Sequence, residues 1–222
     1  MFGERKEMSR YDFVMFDMDG TLMDSRAFHQ KVFYRFLNQY VGNITEEEVR
    51  RGIGATVREI FDSAGVPEEN LKELFVKLDE FCRTQVMDLA GQIPVIPGAY
   101  QLLEGLKSKG IPCGLLTNSM QAVTENMLKA KGLWNFFAGV SGADYFSVNK
   151  IERCRKLQKR LHGEKVLYVG DTEMDIELAD CMGYDSCLAK TGYGWYEDET
   201  YILQVLRPDY VVLELKEILK FV

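Results

Sequence analysis

The 222-residue sequence lacks the patterns that mark several whole classes of protein. Its five cysteines are odd in number and form no C-x-x-C pair, so neither a disulfide framework nor a zinc site is indicated. Its apolar runs are far shorter than the roughly 18–20 residues that a membrane-spanning helix needs. Repeats and low-complexity tracts, which would indicate solenoid or disordered chains, do not occur. We therefore expect a globular protein with mostly buried thiols.

Positive charge and histidine are both scarce. There are 27 Lys and Arg against 34 Asp and Glu, which gives a formal net charge of −7. Because clustered cations drive binding to nucleic acid and to anionic lipid, neither a nucleic acid nor a membrane is an expected partner. The first residues, MFGERKEMSR, have no apolar stretch of the signal-peptide type, so we expect a cytoplasmic protein. His29 and His162 have no metal-ligand spacing and are expected on helix surfaces.

The sequence alternates short apolar runs with helical patterns. Five runs predict strands, at Phe13–Phe16, Gly114–Leu116, Val166–Val169, Ser186–Ala189 and Tyr210–Leu213. Helical patterns at Val123–Gly132 and Ile151–Leu161 separate the second run from the third. Alternation of this kind favours parallel βαβ units with helices on both faces. We predict an α/β fold with a doubly wound parallel sheet.

Residues 25–92 follow a different pattern, because no strand-like run appears there. In AFHQKVFYRFLNQY the apolar and aromatic positions recur at helical spacing, and TVREIFDSAG and ENLKELFVKLDEFCRTQV continue in the same way. The turn IPVIPG then closes the segment. We interpret residues 25–92 as a helical domain inserted into an α/β core domain of residues 1–24 and 93–222. Such an insertion is in a position to cover the ligand-binding edge of the sheet.

Two carboxylates leave the end of the first predicted strand together. Asp17 and Asp19 lie in FDMDGTL, directly after FVM, and Gly20 permits a tight turn there. Ligands bind at the carboxyl ends of the strands in open α/β sheets, and residues two apart can point toward the same space. The D-x-D-G sequence on its own is also compatible with a plain polar turn.

Three later segments add matching chemistry. LLTNS ends the second predicted strand with Thr117 and Asn118, a hydroxyl and an amide that suit phosphoryl oxygens. Lys150 precedes a predicted helix, where its ammonium can neutralise developing negative charge. GDTEMD follows the third predicted strand with Asp171 and Asp175. Carboxylate oxygens suit Mg²⁺, and a cation would relieve the repulsion between close carboxylates.

In order, FDMDGTL, LLTNS, Lys150 and GDTEMD resemble the four motifs of the haloacid dehalogenase-like superfamily. The resemblance is to its phosphatase and phosphomutase branch with a helical cap, as in phosphoglycolate phosphatase. It spans residues 16–175, and the helical insertion and the later YDSCLAKTGYG also fall where that family has them. It implies a Rossmann-like core and a phosphoric monoester hydrolase. One departure is Ile151 after Lys150, where close relatives commonly have proline.

The resemblance implies a role for each motif residue. Asp17 would attack phosphorus and form an aspartyl-phosphate, while Asp19 would protonate the leaving oxygen and later activate water. Thr117 and Lys150 would be catalytic, and Thr117, Asn118 and Lys150 would bind the substrate phosphate.

The same resemblance implies Mg²⁺ as the cofactor. Its ligands would be Asp17, the backbone carbonyl of Asp19, and Asp171. Asp175 would either bind the metal directly or contact one of the groups that do. The implied partner is a small phosphorylated metabolite, and nothing in the sequence demands more than a monomer.

Three alternatives to a phosphatase are compatible with parts of this pattern. A phosphomutase of the beta-phosphoglucomutase type would pass the phosphoryl group back to a sugar, and the motifs do not separate it from a phosphatase. A hydrolytic dehalogenase needs no metal and lacks the second aspartate, so Asp19, Asp171 and Asp175 argue against it. A non-catalytic binding module would have no need to keep all these residues. Hydrolysis of a phosphate ester is the preferred hypothesis.

The substrate is not identified by any motif. Arg50, Arg51 and Arg58 lie on either side of the sequence Gly52-Ile53-Gly54, between two predicted helices of the insertion. They would either meet an anionic substrate or be solvated helix residues.

Overall fold

The computed structural model describes residues 9–52, 55–86, 90–144, 149–194 and 198–222. These residues form one sheet of six parallel strands in the order β3-β2-β1-β4-β5-β6. The strands are β1 (Phe13–Phe16), β2 (Cys113–Met120), β3 (Phe137–Ala143), β4 (Val166–Gly170), β5 (Asp185–Ala189) and β6 (Tyr210–Val212). The predicted doubly wound parallel α/β fold is confirmed, and the five predicted strands correspond to all of these except β3.

Helices connect the strands and cover the sheet. Between β1 and β2 lie α1 (Arg26–Tyr40), α2 (Glu46–Gly52), α3 (Val57–Ser63), α4 (Glu68–Phe81) with a π-helical turn at Cys82–Val86, and α5 (Ala99–Lys109). After β2 come α6 (Gln121–Ala130), α7 (Lys150–Leu161) and α8 (Glu173–Met182), followed by short helical turns at Glu199–Tyr201, Ile202–Leu206 and Leu215–Lys220. None of the described helices combines the length and apolar character that crossing a membrane requires.

The central strand β1 is buried along its whole length, as expected for a parallel sheet covered on both faces. Phe13 and Met15 belong to an apolar cluster that includes residues of α7 and α8. Val14 and Phe16 belong to a larger cluster on the other face, which includes residues of α5. The alternation of side chains along one strand thus fills two separate cores and fixes the position of the residues that follow Phe16.

Strand β3 is the element that the sequence analysis missed. Its sequence, FAGVSGA, contains two glycines, and only three of its seven residues are buried, as expected of the edge strand. The glycine at position 139 has a packing reason, since a Cβ there would lie 2.6 Å from Cδ1 of Leu157 on α7. Close contact between the helix and the strand therefore favours glycine, which has a low β propensity. As a result, the sequence of β3 does not show the pattern by which a strand is predicted.

Helices α1 to α4 fall within the segment predicted to be helical, residues 25–92, of which 53–54 and 87–89 lie outside the described ranges. Phe36 of α1 stacks on Phe61 of α3 at 5.9 Å and meets Phe81 of α4 edge-on at 5.6 Å, measured between ring centroids. The apolar contacts continue from this segment into the larger core cluster beside the sheet. The division into two domains at residues 24/25 and 92/93 stays a prediction.

Candidate active site

The ends of three neighbouring strands bring the predicted motifs together. In the sheet, β1 lies between β2 and β4, so the residues after β1 and β4 and the last part of β2 share one edge. Asp17 continues β1, and its backbone N–H donates to the carbonyl of Val169 at 2.9 Å. Gly20 then turns the chain with a φ of 83°, a conformation that side chains disfavour. Asp17, Thr117 and Asp171 are all nearly or fully buried at this edge.

Lys150 joins the cluster from the first position of α7. Asn149 caps this helix, because its side chain accepts a hydrogen bond from the Glu152 backbone N–H. The Lys150 Nζ lies 2.7 Å from Oδ1 of Asp17 and 2.9 Å from Oδ1 of Asp175. Burial alone would lower the pKa of Lys150, but the two carboxylates raise it well above its usual value, so the ammonium is charged.

Asp17 is a buried carboxylate with both oxygens in contact with protein donors. Its Oδ1 accepts from Lys150, and its Oδ2 accepts from the backbone N–H of Asp19 at 3.0 Å. Burial raises its pKa to about 7; Lys150 opposes this shift, whereas the nearby Asp175 and Asp19 add to it. A cation close to these carboxylates would favour the ionised form.

Asp19 is held by four side chains. Its Oδ1 accepts from Ser25 Oγ at 2.5 Å and lies 2.9 Å from His29 Nε2. Its Oδ2 accepts from Thr117 Oγ1 at 3.0 Å and from Ser119 Oγ at 2.6 Å. Burial would raise the pKa of Asp19, but His29 and the hydroxyl donors outweigh it and lower the pKa to about 2. These contacts hold Asp19 as a fixed carboxylate, two residues after Asp17.

The expectation that His29 lies on a helix surface is wrong. Its residue surface is 8% exposed, and its ring faces Asp19 from the first turn of α1. Sequence reasoning also missed Ser25 and Ser119 as neighbours of Asp19. The sequence did contain a signal for Ser25 and His29. They are four residues apart at the start of a helix, which places both on the same face.

Thr117 and Asn118 are positioned by a buried arginine that the motifs did not indicate. Arg153 of α7 is 6% exposed and donates to the backbone carbonyl of Thr117 at 2.7 Å and to Oδ1 of Asn118 at 2.8 Å. It also donates to the carbonyl of Ser141 on β3 at 3.3 Å. The arginine therefore ties the end of β2 to its neighbouring strand and to the helix that begins with Lys150.

Three carboxylates could hold a metal ion. One oxygen from each of Asp17, Asp171 and Asp175 lies within 4.8 Å of the others, and all three residues are buried. Asp171 Oδ1 accepts from Thr21 Oγ1 at 2.7 Å. Hard oxygen donors at this spacing fit Mg²⁺, which takes one or two carboxylates and fills its remaining positions with water and phosphate oxygens.

Asp175 differs from the other two carboxylates in how fully the protein binds it. Its Oδ2 accepts from Thr172 Oγ1 at 2.7 Å and from the backbone N–H groups of Thr172 at 3.1 Å and Asp171 at 3.2 Å. Its Oδ1 accepts from Lys150 and from Tyr168 Oη at 3.3 Å. This pattern suits a residue that orients Lys150 and the metal ligands more than one that binds a metal directly.

A pocket opens between this edge of the sheet and the helical segment. Its polar end includes Asp17, Asp19, Asn118 and Lys150. Its lining also includes apolar side chains of α1, α3 and α4, together with Met120 and Val123. All the motif residues that were predicted to bind phosphate therefore face a single pocket, together with His29 and Ser119.

The whole chain resembles proteins of known family. Residues 14–189 match the family model described as haloacid dehalogenase-like hydrolase. Pyrophosphatase PpaX of Oceanobacillus iheyensis is 24% identical over 213 residues, which cover 94% of this chain and 95% of that protein. Phosphoglycolate phosphatase of Aquifex aeolicus is 28% identical over 185 residues, covering 81% of this chain and 85% of that protein.

Solved structures show the same architecture. A haloacid dehalogenase-like family hydrolase from Streptococcus pneumoniae superposes with a TM-score of 0.77 at 20% identity, covering 96% of this chain and 99% of that chain. The family match runs from β1 to β5 and includes all four motifs. The chain belongs to the haloacid dehalogenase-like hydrolases.

Proposed function

We propose that this protein is a magnesium-dependent phosphatase that hydrolyses a small phosphate monoester through a phosphorylated Asp17. The observation that carries the proposal is the buried carboxylate of Asp17, which lies 2.7 Å from the Lys150 ammonium. A second carboxylate, Asp19, follows two residues later at the same strand end. Nucleophile, cation and acid–base group thus surround one pocket, as phosphoryl transfer requires.

In the first half of the reaction, an oxygen of Asp17 attacks phosphorus and the ester P–O bond breaks. The leaving alkoxide takes a proton from Asp19, which must be protonated when the substrate binds, so the products are the alcohol and an aspartyl-phosphate. Lys150 faces the same pocket and would stabilise negative charge on the phosphoryl oxygens. The Thr117 hydroxyl, which donates to Asp19 in this structure, would turn to the phosphoryl group to do the same. Asn118, whose side chain is oriented by Arg153, offers its amide N–H to the same group.

In the second half, water attacks the phosphorus of the aspartyl-phosphate and Asp19 accepts its proton. The bond between phosphorus and Asp17 breaks, which releases inorganic phosphate and restores the carboxylate. The four contacts of Asp19 fix where its oxygens lie for this role. His29 Nε2 lies 2.9 Å from Asp19 Oδ1, within hydrogen-bond distance of the oxygen that would carry the proton in the first half.

Mg²⁺ would be held by Asp17, Asp171 and the backbone carbonyl of Asp19, with Asp175 orienting the ligands or joining them. When bound, it would supply positive charge to the phosphoryl oxygens. The buried carboxylates within 4.8 Å of one another support this assignment. So does Thr21, which fixes Asp171 by a hydrogen bond.

We also propose that residues 25–92 act as a cap over the site. His29, Val32 and Ile60 of this segment line the same pocket as the motif residues. A cap of this kind would exclude bulk water while the ester bond is broken. The relatives named phosphoglycolate phosphatase and pyrophosphatase support a substrate that carries a phosphoryl group on a small leaving group.

The test is phosphate release from a small aryl phosphate by the purified chain. We expect release that requires Mg²⁺, stops in excess EDTA, is lost in Asp17→Asn and is slowed in Asp19→Asn. Asp180→Asn, an exposed position on α8, is the matched control and should behave as wild type. Turnover that persists in contaminant-free Asp17→Asn would rule the mechanism out. Isomerised sugar phosphate formed faster than inorganic phosphate would identify a phosphomutase instead.

A further inference from the structure

The part of the pocket lining that residues 25–92 and α6 contribute is largely apolar. Among the described residues, the apolar side chains that line the pocket include Phe28, Phe33, Val57, Ile60, Leu78 and Val123. They come from three helices of residues 25–92 and from α6, so no single element explains the pattern. Of the polar groups nearby, His29 and Ser119 are already bonded to Asp19.

The described lining of the pocket carries little positive charge. Lys150 is the only lysine or arginine among the described lining residues, and it lies between the carboxylates of Asp17 and Asp175. The internal residues outside the described ranges, 53–54, 87–89, 145–148 and 195–197, contain no Lys, Arg or His. A second cation for the leaving group is therefore not supplied by those segments.

The arginines of the helical segment do not line this pocket. Arg50 and Arg51 both pair with Glu47, and their side chains are 58% and 74% exposed. Arg58 pairs with Glu68 and Asp62 on the surface. The hypothesis that these arginines meet an anionic substrate finds no support in their positions, and their acidic partners offset their charge.

We infer that the leaving group of the substrate is an uncharged, largely apolar alcohol, as in an alkyl or aryl phosphate. This inference rests on the proposed phosphatase function. Placing a carboxylate or a second phosphate against the apolar wall would remove its hydration without a cation to replace it. A sugar would leave most of its hydroxyls without partners there. An apolar leaving group instead gains affinity from the area that it buries.

The test compares esters that differ in one feature. We expect kcat/KM for phenyl phosphate to exceed that for para-carboxyphenyl phosphate by about tenfold or more, and phosphoglycolate to be poorer still. From ethyl to butyl phosphate, kcat/KM should rise by about fourfold per methylene, the factor that corresponds to ~0.8 kcal/mol per buried CH₂. Equal or better turnover of the carboxylated ester, or no rise along the alkyl series, would overturn the inference.

A charge introduced into the wall provides a second test. Ile60→Lys should narrow or reverse the preference for phenyl over para-carboxyphenyl phosphate, because it supplies the missing cation. Val76→Lys, at a position that is 60% exposed on α4, adds the same charge outside this pocket and should leave the preference unchanged. An unchanged preference in folded Ile60→Lys would count against the inference.

The outcomes also separate the inference from the proposed function. If no ester releases phosphate in a Mg²⁺-dependent way, or if release persists in Asp17→Asn, the proposed function fails. If release depends on Mg²⁺ and Asp17 but favours carboxylated esters, only the inference about the leaving group fails.

Discussion

Gly170→Ala should disrupt the active site from a position that carries no functional group. Gly170 ends β4, and a Cβ at this position would lie 2.5 Å from Oδ2 of Asp175 and closer still to its Cβ and Cγ. Asp175 cannot easily move away, because Lys150 and Thr172 hold its two oxygens. Overpacking of this kind costs about 1–3 kcal/mol. For a chain of this size the melting temperature should fall by about 2–4 °C per kcal/mol.

The same substitution should reduce activity by more than the loss of stability explains. Displacement of Asp175 moves Lys150, and a misplacement of about 1 Å near reacting groups can lower the rate about a hundredfold. Thermal unfolding followed by circular dichroism and phosphate release at a temperature where the variant is folded would measure both effects. Gly52→Ala is the matched control, since the nearest atom to its Cβ would be 3.4 Å away, and we expect a change within about 0.5 kcal/mol. Wild-type stability and kcat in Gly170→Ala would refute the reasoning.

Three further predictions concern other parts of the structure. His29→Asn should lower kcat by about tenfold to a hundredfold with the fold retained, because Asp19 loses a partner; wild-type kcat would contradict the role of His29. Asp171→Asn should raise the Mg²⁺ concentration needed for half-maximal activity without lowering the melting temperature, because it removes a buried negative charge; an unchanged Mg²⁺ titration would exclude Asp171 as a ligand. A thiol reagent at pH 8 should label Cys181 in the native protein and spare buried thiols such as Cys82, whose pKa burial raises to about 12; native labelling that survives in Cys181→Ser would contradict this.

The sheet and the positions of the motif residues could be predicted because each depends on local sequence. Asp17 directly follows the buried strand β1, and Asp171 directly follows the buried strand β4. The carboxyl ends of these adjacent parallel strands meet at one edge of the sheet. Lys150 was predicted from its place at a helix start, and the structure puts its ammonium between Asp17 and Asp175. The spacing of the carboxylates and the order of the motifs were therefore enough to predict these residues as members of one site.

The partners of Asp19 could not be predicted in the same way. Ser119 and Thr117 reach Asp19 across about one hundred residues of chain, and no periodic pattern connects them. His29 looked like an ordinary helix residue because its burial depends on how α1 packs over the end of β1. The edge strand β3 was hidden because close packing against α7 favours glycine in it. Contacts between distant elements, which the sequence does not encode locally, decide all of these features.

The stereochemical course at phosphorus tests the central claim most directly. The substrate would be a phosphate ester made chiral at phosphorus by oxygen isotopes, and the configuration of the released phosphate would be determined after turnover. Transfer to Asp17 and then to water inverts phosphorus twice, so the account predicts overall retention. Direct attack by water on the ester inverts phosphorus once, and net inversion would contradict an aspartyl-phosphate on Asp17.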